Sequence, residues 1–245
     1  MITLEVCANS VQSAIEAQKG GAIRVELCDN MSEGGTTPAL SQIEESKQLI
    51  DIQLNTMIRP RGGDFLYSDF EFKMMKQDIH HCGQAKCDGV VFGILNIDGS
   101  IDKNRNKELL DIAKKYDMSA TFHRAFDRSA NLHESLEDII NIGFDRILTS
   151  GGKKTAPEGA DVLKKLIEQA GDRIIIMPGA GITENNIAGL VRNTGLKEFH
   201  GTFYSLYRGA MKYIAPEFDD IKEEYSIMQT DAVRVKQAIE NANNA

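Results

Sequence analysis

The sequence reads as an α/β protein, a single (β/α)8 (TIM) barrel spanning residues 1–245. Eight short β-rich runs alternate with longer amphipathic stretches from end to end. The length of 245 residues is what one such barrel fills. The runner-up, a doubly wound open sheet, would bind its ligand at a switch point, and no G-x-G-x-x-G follows the first run. The β/α alternation therefore favours closure into a barrel.

The runs are Ile2–Cys7, Ala22–Cys28, Gln53–Arg59, Gly89–Ile94, Ser119–His123, Asp145–Ser150, Arg173–Met177 and Leu196–His200. Helix signals separate them. Ser68…Glu71, Asn131…Glu134 and Thr155…Glu158 have the spacing of an N-cap and its reciprocal carboxylate. Thr37-Pro38 reads as an N-cap followed by proline at the first helical position. Gly20-Gly21, Gly83, Gly143, Gly171 and Gly195 stand where helices need a C′ residue before the next strand. Residues 202–230 break the rhythm with an aromatic-rich, irregular segment that reads as a packed loop, a lid or an oligomer contact. A closing helix is expected from about Asp231, with Ala232, Val233, Val235, Ala238 and Ile239 on one face.

Lys and Arg number 28 against 36 Asp and Glu, a formal charge of −8, which argues against nucleic acid as the main partner. No apolar run approaches a membrane span, and the first residues lack the basic and apolar regions of a signal peptide, so the chain reads as cytoplasmic. Four cysteines are too few for a disulfide scaffold.

Strand parity predicts what lies inside the barrel. Apolar residues must pack outward on helices, which turns their neighbours inward. Leu4 and Val6 outward place Glu5 and Cys7 inside. Ile23, Val25 and Leu27 outward place Arg24, Glu26 and Cys28 inside. By the same rule Asn55, Met57, Arg59, Thr121, His123, Glu198 and His200 face in, with Gly89, Val91 and Gly93 leaving room; parity stays open for runs six and seven. Buried ions must pair or bind something, and pairing of Glu26 with Arg24 or Arg59 is the bland expectation.

Ligand sites on such barrels gather at the C-terminal strand ends. Those ends carry Arg59-Pro60-Arg61-Gly62-Gly63-Asp64, His123-Arg124-Ala125-Phe126-Asp127, Ser150-Gly151-Gly152 and Gly179-Ala180-Gly181. Arg59, Arg61 and Arg124, with Ser150, Gly151, Gly179 and Gly181, are candidates to hold a carboxylate or phosphate. Glu5, Glu26, His123, Asp127 and His200 are candidates for acid–base work. Cys7 and Cys28 end adjacent strands about 4.8 Å apart, close enough to share a soft ion such as Cu(I). His80-His81-Cys82 with Cys87 looks metal-like in print, but adjacent helical histidines diverge, and the cluster reads as incidental.

Glu5-Val6-Cys7, Arg24-Val25-Glu26-Leu27-Cys28, Glu33-Gly34-Gly35-Thr36-Thr37-Pro38 and Met57-Ile58-Arg59-Pro60-Arg61-Gly62-Gly63-Asp64-Phe65 resemble the CutC family of copper homeostasis proteins. Asp88–Gly93, Thr121–Asp127, Ile147–Gly151 and Glu198–His200 extend the likeness to about residue 201. The resemblance implies a cytoplasmic, self-associating (β/α)8 barrel that handles copper, with Cys7 and Cys28 at the family's copper positions. No organic cofactor is implied. Two functions follow: a protein that buffers or passes on Cu(I) held by two thiolates, or an enzyme acting on a small phosphorylated or carboxylated metabolite.

Overall fold

Alternating side chains along each run become, in the computed structural model, eight parallel strands around a common interior. The structure describes residues 1–218 and 222–245. The strands are β1 (Thr3–Ala8), β2 (Arg24–Leu27), β3 (Gln53–Met57), β4 (Gly89–Phe92), β5 (Ser119–Phe122), β6 (Arg146–Thr149), β7 (Ile175–Pro178) and β8 (Glu198–Gly201). Between and after them come α1 (Val11–Lys19), α2 (Leu40–Leu49), α3 (Asp69–Gln84), α4 (Lys103–Lys114), α5 (Leu132–Ile142), α6 (Ala160–Ala170), α7 (Ile187–Thr194) and α8 (Ala232–Asn243). Hydrogen-bonded ladders run β7-β6-β5-β4-β3-β2-β1-β8. The barrel closes with β7 beside β8 but without a ladder between them; Pro178, at the end of β7, has no N–H to donate there. No helix is long and apolar enough to cross a membrane among the described residues.

Parity holds where it was readable. Leu4, Val6, Val25, Leu27, Leu54 and Ile58 join the main core beneath the helices. Ile23 does not: it is 42% exposed at the strand's start. The two open strands resolve through Ile147 and Ile176, which pack outward, so that Arg146, Leu148 and Met177 turn in.

Helix ends follow local chemistry with some departures. Ser68 and Glu71 form the full capping box of α3, and Asn131 accepts from the backbone of His133 and Glu134. Thr155 Oγ1 accepts the Glu158 N–H at 3.4 Å as its spacing predicts, but this closes only a turn, since α6 starts after Gly159. Thr37 is also no cap: α2 begins after Ala39, and the Thr37 hydroxyl instead accepts the Arg59 N–H at 2.9 Å. Gly83 lies inside α3, and Lys86, at φ +61°, supplies the left-handed turn expected of it.

The segment read as irregular contains an antiparallel hairpin, β9 (Tyr204–Arg208) with β10 (Ser226–Thr230). Residues 219–221 of that segment lie outside the described residues. Leu206 and Ile227 are exposed on the hairpin. Asp231 caps α8 through the N–H groups of Val233 and Arg234. Val235 and Ala238 are buried as expected, whereas Val233 is 74% exposed, one residue off the packed face.

The helix α8 seats on the end of α1 through a contact that has no room for a methyl group. A Cβ on Gly20 would lie 2.5 Å from Val235 Cβ and 2.8 Å from the Ala232 carbonyl oxygen. Gly20→Ala is therefore expected to cost about 1–3 kcal/mol, read as a lower urea midpoint with an unchanged slope.

Candidate functional site

The interior is organised around one arginine. Arg24 Nε donates to Glu5 Oε2 at 2.5 Å and Nη2 to Glu198 Oε2 at 2.5 Å. Arg146 Nε, from β6, reaches the same Glu198 oxygen at 2.9 Å. Arg24 thus pairs with Glu5 and Glu198, and not with Glu26. The other Glu5 oxygen meets His200 Nδ1 at 2.9 Å, and His200 Nε2 lies 3.7 Å from Glu26 Oε2. Burial alone would raise the Glu5 pKa, but Arg24 and then His200 outweigh it and hold the carboxyl at about 2. Burial also dominates at Glu26, where His200 offsets it only partly and the pKa is raised. For His200, burial is overcome by the two carboxylates, so its pKa moves up.

Above this network the two cysteines meet. Cys7 Sγ and Cys28 Sγ are 3.2 Å apart. A third sulfur, absent from the sequence reading, completes the group: Met31 Sδ is 3.5 Å from Cys7 Sγ and 3.2 Å from Cys28 Sγ. Asn30 takes φ +46° after β2, and a 3-10 turn over Met31–Glu33 follows. The bridge between Asp29 and Thr36 closes this loop, which brings Met31 back over Cys28. The readable signal was Cys28-x-x-Met31. The thiol contact with Cys28, then burial, pushes the Cys7 pKa up, so without a cation this thiol stays protonated. Cys7, Glu26 and His200 also bring ligand atoms within 4.8 Å of one another, the one such group among the described residues. His80, His81 and Cys82 form no such group; His80 meets Tyr116 and His81 meets Gln77.

Cys7, Met31 and Glu26 border a cavity of about 500 Å³ at the C-terminal strand ends, a size suited to a metabolite. Arg59 and His123 also line it, with Phe65 between β3 and α3. Burial, then the Arg59 charge, lowers the His123 pKa to about 3, so the imidazole is neutral.

Several sequence candidates serve the loops instead. Arg61 points away from the cavity and is spent on Glu71 at 2.5 Å, Asp64 at 3.0 Å and nearby carbonyls. Asp127 is saturated: it accepts from Thr149 Oγ1, the N–H groups of Ser150 and Gly152, and Arg124 Nε. That makes it a staple between strand ends 5 and 6, with Ser150 as its partner. The N–H of Gly151 goes to Thr149 Oγ1 and that of Gly179 to the Thr149 carbonyl. Arg124 and Gly181 do reach the cavity.

With this geometry in hand, the model of the CutC family matches residues 2–205. The chain belongs to the CutC family. It is 44% identical over 237 residues to the human copper homeostasis protein cutC homolog, covering 95% of this chain and 86% of that one. It is 48% identical over 210 residues to CutC of Chromobacterium violaceum, covering 86% and 84%. A solved CutC structure from Streptococcus agalactiae superposes with TM-score 0.78 at 36% identity, covering 82% of this chain and 99% of that chain. Phosphoribosyl anthranilate isomerase of Thermotoga maritima, at 12% identity, TM-score 0.61 and full coverage of both chains, shares the barrel fold alone.

Two outcomes follow for this CutC barrel. Arg24→Met leaves the buried Glu5 carboxylate with only His200 and a long contact from Asn55 Nδ2 and should lower stability by about 3–5 kcal/mol in urea titration. His123 binds its proton near pH 6.5 when unfolded and near 3 when folded. Its contribution is therefore complete above pH 6.5 and falls by about 1.4 kcal/mol per pH unit below it. The difference in unfolding free energy between parent and His123→Gln, measured from pH 7 to 5, should trace that slope; a flat difference refutes it.

Proposed function

We propose that the protein binds Cu(I) as cargo at Cys7, Cys28 and Met31 and so serves copper handling in the cytoplasm. The observation that carries this reading is the sulfur triad, with all three separations between 3.2 and 3.5 Å. Two thiols and a thioether suit a soft, monovalent cation and disfavour Mg²⁺ or Ca²⁺. Met57 and Val91 pack with the two cysteines, so a bare thiolate there is poorly solvated, and a soft cation supplies the missing positive charge. Cys7 and Met31 border the cavity, which gives the ion a way in. The names of the human and mouse relatives support the copper role.

Anaerobic titration of Cu(I) against a competing chelator tests this. The parent should take one ion per chain, Cys7→Ser/Cys28→Ser should lose it, and Met31→Leu should weaken it about tenfold. Binding that survives in the double variant sinks the site.

A further inference from the structure

The same cavity is lined by a buried cation with no counter-ion. Arg59 is 4% exposed. Its Nη1 donates to the carbonyls of Glu33 and Gly35, its Nη2 to that of Gly63, and its Nε has no protein partner. Among the described residues no carboxylate lies within ion-pair distance of it. Arg24, Arg124, Arg146 and Arg234, which border the same interior, each hold one. A buried charge of this kind is unfavourable until an anion meets it.

A second donor stands beside it. His123 Nδ1 accepts the Ala125 N–H at 3.3 Å, so the neutral ring carries its proton on Nε2. That atom is buried and has no protein partner. One aromatic ring touches both residues: Phe65 lies 4.9 Å from the Arg59 guanidinium and packs edge-on to His123 at 4.9 Å. The Phe65 carbonyl accepts the Leu95 N–H at 3.0 Å, which holds the backbone there, and its half-buried ring lines the cavity over both donors.

We infer that the cavity binds a small organic oxyanion whose charged group pairs with Arg59 and accepts from His123, and that Phe65 turns aside to admit it. The ligand's body then lies toward Met57, Leu148, Ile182 and Phe203, the apolar part of the same cavity. Phosphate and carboxylate share this chemistry. The site uses no sulfur ligand and stands or falls independently of copper.

The test uses the whole protein with ¹⁵N-labelled side chains, titrated with inorganic phosphate, 2-phosphoglycolate and malonate. Saturable movement of the Arg59 Nε–H and His123 Nε2–H resonances, with a rise in Tm, is expected from at least one probe, and the responding probes separate phosphate from carboxylate recognition. Arg59→Lys should abolish the His123 response, and Cys7→Ser/Cys28→Ser should keep it. Phe65→Ala leaves every Arg59 hydrogen bond in place and should lower the apparent Kd about three- to tenfold by removing the closed state. No response to any probe, or a His123 response that persists in Arg59→Lys, overturns the site. An unchanged Kd in Phe65→Ala overturns the gate.

Discussion

The molecule depends on the bridge from Arg24 to Glu5 and Glu198. It is buried, and its carboxylates come from β1 and β8 while the guanidinium comes from β2. Arg146 extends it to β6 through Glu198. The network therefore spans β7, the strand whose edge toward β8 has no backbone ladder. An apolar centre of the usual kind would fill the same space, but it would not fix the orientation of His200. Here Glu5 fixes it, and His200 in turn stands against Glu26 beside Cys7.

Two kinds of chemistry line one cavity in this arrangement. Polarisable sulfur gathers on the side of β1 and β2, where the loop after Cys28 folds back. Hard donors gather on the side of β3 and β5, where Arg59 and His123 share the Phe65 ring. The two sets share no ligand atom. A soft cation and an oxyanion can therefore be accommodated without competing for the same groups.

The barrel and most of its interior were legible because strand parity is a two-state choice, and packing against helices fixes it wherever Val, Leu and Ile alternate. Arg24, Glu26, His123 and His200 were placed inside on that ground alone. Parity says which side a residue faces but not what it meets, so the partner of Arg24 was misassigned and Arg146 went unread. Arg61 failed for a related reason: it lies four residues beyond the end of β3, where the chain has left the strand and its side chain pairs with Glu71. Met31 was missed because its approach depends on a left-handed Asn30, which composition does not reveal. The hairpin of β9 and β10 was missed because 17 residues separate its strands, with no tight-turn signal between them.

The edge between β7 and β8 gives the barrel a direction of compliance. Seven neighbouring pairs resist widening through backbone hydrogen bonds. The eighth has no ladder, and the Arg146–Glu198 contact bridges over it from β6 to β8 at the end far from the cavity. The loops that follow these two strands, from Ala180 to Thr183 and from Thr202 to Tyr204, form the cavity's rim on that side. That side of the mouth is therefore the one place where the barrel wall can give without breaking a backbone hydrogen bond between strands.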